Sequence, residues 1–450
     1  MAPAIALLLP IAAAWLALRA TRLAEGRDPL LQLALATCFG IGASSVVTFW
    51  WVVAGNELGN GFVTVDALLW MAVAAAAAWR SRAELKFRSC AHTPQGDDDV
   101  VASHVPLFVR ITFGVLAVVA AATVVQHYLV APHGHWDAWA IWNQKARFLV
   151  RDIAHWKDMQ AIGWSNPSHP FLVSLSVARL WAYAGSEATL WPAMLSALWG
   201  IALVLLLLGG LGPARWQAWV AGALVMAPVM FTDLAAAQTA DLPVALFIAA
   251  AVVLASGASP DGPRARGALV AAALLATIAA WTKNEGLLFA AAMTAVIGAW
   301  SVWLRRPVAA VWWVAGLIPV GIAVLWFKFV VAPLPPEYLT ESADGGTLGR
   351  FLAGPRHALV LETAWPLLWS WGGRFAGGLL PLGMAAAVVS AARRPSLRPL
   401  TAVLGLMLAG YYAVWVVSAL DTAWLVRTTF DRLMMQLWPA LVFIALADER

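Results

Sequence analysis

The chain has 450 residues, 62% of them apolar and 12% charged, with a formal net charge of +5. An average soluble domain is about 45–50% apolar and about 25% charged. Too few charges exist to face a core of this size with water, which excludes an ordinary cytosolic enzyme, a disordered protein and a nucleic-acid binder. Lipid is the solvent for most of the chain.

A membrane-crossing helix needs roughly 17–25 mostly apolar residues. Such runs stand at 3–20, 30–54, 62–79, 107–130, 186–208, 217–231, 241–256, 268–281, 287–304, 308–331, 377–391, 399–418 and 433–447. They predict an all-α polytopic membrane protein with roughly 12–14 transmembrane helices. The start, MAPAIALLLP, has no basic residues before its apolar run, and Arg19, Arg22 and Arg27 come after it. That is the reverse of a signal peptide and predicts a retained helix with its N-terminus outside. Basic clusters at Arg80, Arg82, Lys86 and Arg88, at Arg264 and Arg266, at Arg305 and Arg306, and at Arg393, Arg394 and Arg398 mark cytoplasmic turns. The C-terminus then lies in the cytoplasm. The loops 55–61, 131–170, 232–240, 282–286, 332–376 and 419–432 fall on the outer side.

The segment 170–184 is apolar but short and carries Arg179. A crossing there would invert the sidedness of everything downstream, so it reads as an interfacial or half-crossing helix. The stretch 89–103, with Asp97, Asp98 and Asp99, reads as a solvated cytoplasmic loop. Cys38 lies in an apolar run and Cys90 in a basic loop, and neither has metal-ligand spacing.

Outside charge concentrates in 131–170, which holds His133, His135, Asp137, Lys145, Arg147, Arg151, Asp152, His155, Lys157, Asp158 and His169. Trp136, Trp139, Trp142, Trp156 and Trp164 give it interfacial character. If 136–150 is one helix, Asp137, Ile141 and Lys145 share a face, with Asp137 and Lys145 about 12 Å apart. Two such groups are too distant to pair, but they suit opposite ends of one substrate. A second outer turn, WTKNEGLLF, places Lys283 and Glu285 between apolar helices, where charge is a functional signal. Residues i and i+2 do not face each other on a helix, so one of this pair needs a further partner. Asp241 precedes Pro243 at a helix start, where capping is its plain role. Arg427 and Arg432 stand at the mouth of the last helix, with Asp431 available as a local partner. The outer loop 332–376, rich in Pro and Gly, is long enough to be a lid or an acceptor-binding element.

These loops gather carboxylates and cations on one side above apolar helices. That combination suits a substrate with an anionic head and a long lipid tail. Cations would stabilise a departing phosphate. A carboxylate would take a proton from an acceptor hydroxyl.

The stretches HGHWDAWAIWNQKARFL, SHPFL (168–172), TADLPVALF (239–247), WTKNEGLLF (281–289) and FDRLMMQLWP (430–439), in this order, resemble the GT-C superfamily of membrane glycosyltransferases. The likeness is to a bacterial branch related to protein O-mannosyltransferases and aminoarabinose transferases, and spans roughly 107–447. It implies a GT-C-like catalytic domain over 107–450, with juxtamembrane helices in the first large outer loop. Residues 1–106 would be an addition of further transmembrane helices. It implies Asp137 as catalytic base, Asp241 as the family's second outer Asp and Lys283 near the lipid phosphate; from the outer-loop residues themselves, Trp136, Lys145, His169, Glu285, Arg427 and Arg432 join these as candidate substrate contacts. The likeness also implies a polyprenyl-phosphate sugar donor, an envelope glycan, lipid or protein acceptor, and an active site facing the periplasm from the inner membrane. No cofactor is expected and a metal is not indicated, although a carboxylate pair could hold one. Ala138 follows Asp137 where relatives often have Glu, and His169-Pro170-Phe171 replaces their Lys-Pro-Pro or His-Pro-Pro. The competing expectations are a transporter or flippase, and an accessory membrane subunit.

Overall fold

The computed structural model describes residues 2–88, 105–257, 263–305, 307–332, 346–374 and 376–447. The acidic stretch at 97–99, Cys90 and the Pro-rich part of 332–376 up to residue 345 lie outside them. Every regular element among the described residues is helical. Ten helices are long and apolar enough to cross a membrane, and a bent pair makes up to eleven. The chain is a multi-pass all-α membrane protein.

Three helices open the chain: α1 (Ala2–Ala20), α2 (Pro29–Val53) and α3 (Asn60–Arg88). Asp28 starts α2 by accepting a hydrogen bond from Leu30 N at 2.8 Å, with Pro29 at the first helical position. Close crossings follow from small residues. A Cβ on Gly40 would stand 2.6 Å from the Pro10 carbonyl oxygen, so α1 and α2 touch backbone to backbone. Trp281 Nε1 donates to Ser45 Oγ at 3.1 Å, which ties α2 into the rest of the bundle.

The chain continues through α4 (Leu107–Val130), α5 (Asn143–Arg151), α6 (Leu172–Ala184), α7 (Leu190–Leu211), α8 (Trp216–Met226), α9 (Val229–Ala236) and α10 (Asp241–Ser256). After these come α11 (Pro263–Thr282), α12 (Asn284–Trp303), α13 (Pro307–Trp326), α14 (Gly346–Leu352), α15 (Gly354–Ser370), α16 (Leu379–Arg393), α17 (Arg398–Val417) and α18 (Thr422–Leu446). Between α8 and α9 the direction turns by 71° at Pro228, which cannot donate the hydrogen bond that would continue the helix. The apolar run 217–231 is therefore not one straight crossing.

The short helix α6 is buried along nearly all its length, so it does not lie at the membrane surface; with 13 residues it keeps only the half-crossing side of the expectation. Its Arg179 is why it can be buried. Arg179 Nε donates to Asp66 Oδ2 of α3 at 3.1 Å, and Nη1 donates to the Ala6 carbonyl of α1. Tyr183 OH reaches the same Asp66 oxygen at 2.6 Å, and Trp70 Nε1 reaches the other at 3.1 Å. The first three helices are thus locked to α6 by a satisfied ion pair. Breaking such a pair from one side leaves a buried charge and costs about 3–5 kcal/mol. Asp66→Ala is expected to lower stability by about that amount. The double change Asp66→Leu with Arg179→Met should recover most of it, as read by melting of purified protein in nanodiscs.

The centre of the bundle is α10, 16 residues long, whose residues Asp241 to Leu254 are all buried, and it packs against α7, α11 and α18. At 1.5 Å per residue it is about 24 Å long, shorter than the roughly 30 Å hydrocarbon layer.

The outer-loop reading of 332–376 needs a second correction. Its described part is helical. Arg350 Nε and Arg356 Nη2 donate at 2.7 Å to Val417 O and Ser418 O, the free carbonyl end of α17. From there α15 runs along α18. Trp371 Nε1 then donates to Asp431 O at 3.2 Å, and Gly383 of α16 sits against the Trp438 ring. Ser390 Oγ donates to Ile444 O near the far end of α18. Together α15 and α16 pack along α18. The break between them, 371–378, uses Gly372, Gly373 and Gly378 at positive φ.

Candidate functional site

Asp137 reaches its place through a fitted loop. Gly134 has φ +75, and a Cβ there would stand 2.6 Å from the Ala237 carbonyl oxygen. His135 N donates to that oxygen at 3.2 Å. Gln238, also at positive φ, closes the clasp: its Nε2 donates to Pro132 O at 3.0 Å, and its Oε1 accepts from Asn143 Nδ2 at 3.0 Å. The loop that carries Asp137 is thereby stitched to the start of α10.

Five side chains then alternate in charge. Arg432 Nη2 lies 2.6 Å from Asp137 Oδ2 and 2.7 Å from Asp241 Oδ2. Arg432 Nε also donates to Asp241 Oδ2, at 3.1 Å. The other Asp241 oxygen accepts from Lys283 Nζ at 2.9 Å and from Gln436 Nε2 at 2.8 Å. Lys283 Nζ lies 2.8 Å from Glu285 Oε1. Tyr411 OH fixes Gln436 by donating to its Oε1 at 2.9 Å. Asp241 is fully buried, which is tolerable only because both carboxylate oxygens are saturated by donors. Asp241 and Lys283 are buried in the middle of the chain, while Arg432 (28%) and Asp137 (22%) at one end and Glu285 (19%) at the other are partly exposed.

Asp241 makes no side-chain capping bond at the start of α10; its carboxylate is spent on Lys283, Arg432 and Gln436. Lys283 does pair with Glu285 despite the i, i+2 spacing. Its backbone is extended (φ −159, ψ 161) ahead of α12, so helical geometry does not apply to it. The further partner that the spacing called for is Asp241.

Lys145 lies elsewhere. Residues 138–142 form a π-helical turn ahead of α5. That wider turn breaks the i, i+4, i+8 phase that would have put Asp137 and Lys145 on one face. Lys145 is fully buried, and its Nζ donates to Asn166 O at 2.8 Å and to His169 O at 3.3 Å. From the other side Lys328 Nζ donates to Ser168 O at 2.7 Å and to Asn284 Oδ1. Two lysines thus hold the segment 166–169 by its carbonyls. The idea of Lys145 gripping the far end of a substrate does not fit its burial.

His169 stacks on Trp142, with ring centroids 5.7 Å apart. Its Nδ1 is buried and has no hydrogen-bond partner among the described residues. Burial, with the positive charges of Lys283, Lys145 and Lys328, holds this imidazole neutral well below the usual histidine range. The folded chain therefore refuses a proton that the unfolded chain accepts below about pH 6.5. This contribution to stability is complete above that pH and is lost as pH falls through it toward the native value. The melting temperature is expected to drop between about pH 7.5 and 5.5, and to drop less in His169→Gln. Equal slopes for both proteins would contradict the assignment.

Trp136 is exposed and meets Trp139 edge to face at 5.9 Å. Arg427 is exposed, and five residues before Arg432 it points about 140° away around the helix. It stands outside the charge chain. Asp431 makes no bond with Arg432 among the described residues, so the local pair does not form. An apolar groove of about 610 Å³, lined by Leu361, Trp365, Met384, Leu408, Phe430 and Met434, lies on the other side of α18. Phe430 and Met434 are each about 160° from Arg432 around that helix. The sequence reading missed Gln436, Tyr411, Gln238 and Lys328. Only Gln436 had a local signal, one helical turn beyond Arg432. Among the described residues no group of three or more His, Cys, Asp or Glu side chains is arranged to hold a metal ion.

No family model, no curated protein and no solved structure matches the chain.

Proposed function

We propose that the protein is an integral-membrane glycosyltransferase that moves a sugar from a polyprenyl phosphate to an acceptor hydroxyl. The observation that carries this reading is the alternating chain Asp137–Arg432–Asp241–Lys283–Glu285, buried at Asp241 and Lys283 and presenting Asp137 and Arg432 side by side where both are partly exposed. It offers one accessible carboxylate beside one accessible guanidinium, among helices that hold a lipid tail in its own solvent. The acceptor oxygen attacks the anomeric carbon while the bond from that carbon to the phosphate oxygen breaks. Asp137 takes the acceptor's proton. The phosphodiester leaves as a phosphomonoester with one more negative charge, which Arg432 stabilises. Attack opposite to the leaving group inverts the sugar. Lys283, enclosed between two carboxylates, is suited to holding Asp241 rather than to touching the phosphate. The resemblance of the loop motifs to GT-C enzymes supports the same reading, with the site on the outer face of the inner membrane.

The test is transfer from defined polyprenyl-phosphate sugars by purified protein in nanodiscs, with mass spectrometry of envelope glycans and lipids from cells with and without the gene. Unchanged glycans and no turnover of any donor would reject it.

One observation favours a second reading, transport of a small solute. Two interrupted helical segments meet beside α18: Gly373 in the α15–α16 break packs against Val229, the first residue of α9. Interrupted helices commonly form transport sites. Solute uptake into proteoliposomes, with no sugar transfer, would favour it.

A further inference from the structure

Arg432 divides its donors unequally. Nε and Nη2 both hold Asp241 Oδ2, at 3.1 and 2.7 Å, so the guanidinium is clamped on its buried edge. Nη2 also holds Asp137 Oδ2 at 2.6 Å. Nη1 has no partner among the described residues, and it is not one of the buried unpartnered atoms. The open edge of this fixed cation therefore consists of Nη1 and the outer side of Nη2. A phosphate binds a guanidinium best across two nitrogens at once. On this edge it would need the position at Nη2 that Asp137 now occupies.

Resting on the glycosyltransfer reading above, we infer that Arg432 is a switch as well as an anion dock: the donor's phosphate displaces Asp137 from Nη2 and so releases the base. While Asp137 stands against Nη2, its Oδ2 is paired with the guanidinium at 2.6 Å and faces that cation rather than an acceptor hydroxyl. Phosphate binding moves the Arg432 charge onto the phosphate and leaves Asp137 free to accept. Asp241 keeps the guanidinium in place throughout, because its own contacts lie on the opposite edge. A bound donor thus frees the Asp137 oxygen that Arg432 otherwise engages. Until then the two carboxylates compensate the Arg432 charge, which keeps the resting arrangement stable. No bond is made or broken in this step; one hydrogen-bond acceptor replaces another on Nη2.

The competition can be read as binding. Long-chain polyprenyl monophosphate is titrated into full-length protein in nanodiscs, with farnesyl monophosphate and inorganic phosphate as separate arms. Asp137→Asn removes the competing charge at nearly constant shape, and Kd is expected to fall about three- to tenfold. Arg432→Lys keeps a charge for Asp241 but loses the two-nitrogen edge, and Kd should rise about tenfold or more. Asp431→Asn is the control, since Asp431 is adjacent in sequence but bonds no donor of Arg432. Equal tightening in Asp431→Asn would mean a long-range charge effect and overturn the displacement. Unchanged or weaker binding in Asp137→Asn, with wild-type binding intact, overturns the switch and leaves the glycosyltransfer reading standing. Failure of wild type to bind any polyprenyl phosphate overturns both. Tightening that extends to inorganic phosphate supports displacement by the phosphate group alone; tightening confined to the esters supports the lipid-borne source. Melting temperatures of all variants, measured alongside, separate loss of binding from loss of fold.

Discussion

Asp137→Asn is expected to lower the rate of sugar transfer by about 10²- to 10⁴-fold, the range that a positioned general base contributes. The fold should persist. The amide oxygen introduced by this change can still accept from Arg432 Nη2, and Arg432 keeps both contacts to Asp241. The partly exposed position limits any strain. The measurement is single-turnover transfer with saturating donor, so that weaker or tighter donor binding does not enter the rate. If Asp137 only shaped the loop, the rate would follow the melting temperature. If it is the base, the rate collapses while the melting temperature stays near wild type. Turnover within about threefold of wild type would remove Asp137 from the proton-transfer role.

A loss of stability as large as that of Asp66→Ala, about 3–5 kcal/mol, is expected from Lys283→Met. Lys283 stands between two carboxylates, 2.9 Å from Asp241 and 2.8 Å from Glu285. Met fills a similar volume but leaves Glu285 without its cation, and the other Glu285 oxygen is already buried without a partner among the described residues. Asp241 would retain Arg432 and Gln436. The cost therefore falls mainly on Glu285, which makes the effect partly reversible. Glu285→Gln placed in the Lys283→Met background should return a measurable share of the loss, whereas Glu285→Gln alone should destabilise. A double-mutant cycle on unfolding in nanodiscs or mixed micelles reads the coupling. Additive losses would show that Lys283 and Glu285 do not act as a pair. A loss of activity in Lys283→Ala is by the same argument ambiguous, since an unpaired buried carboxylate disturbs the whole chain of charges.

The site was legible in part. Charge poverty singled out Asp137, Asp241, Lys283, Glu285 and Arg432 from loops and helix ends, and these five form one connected chain. The rule that i and i+2 do not face each other called for a further partner for one of Lys283 and Glu285; Lys283 finds Asp241, and its extended backbone lets it hold Glu285 as well. The reading failed where a single residue of phase matters. One π-helical turn after Asp137 undoes the helical register that joined it to Lys145, and hydropathy has no means of signalling it. Lys145 and Lys328, two charges of the same type as Lys283, serve the backbone of 166–169 instead.

Composition and apolar run length by themselves determined that this is an all-α membrane protein and where nearly all its long helices lie. Those are local properties: about 20 apolar residues prefer lipid whatever surrounds them, and a helix is the structure that satisfies their backbone there. Tertiary structure alone decided which charges meet. Arg432 and Gln436 reach Asp241 across 191 and 195 residues of sequence, so no window along the chain holds both members of either pair. It also decided that α6 is buried, because its Arg179 finds Asp66 on α3, and that α15 and α16 pack along α18. In each case the deciding term is the cost of an unpaired polar group away from water, which depends on the partner that packing delivers.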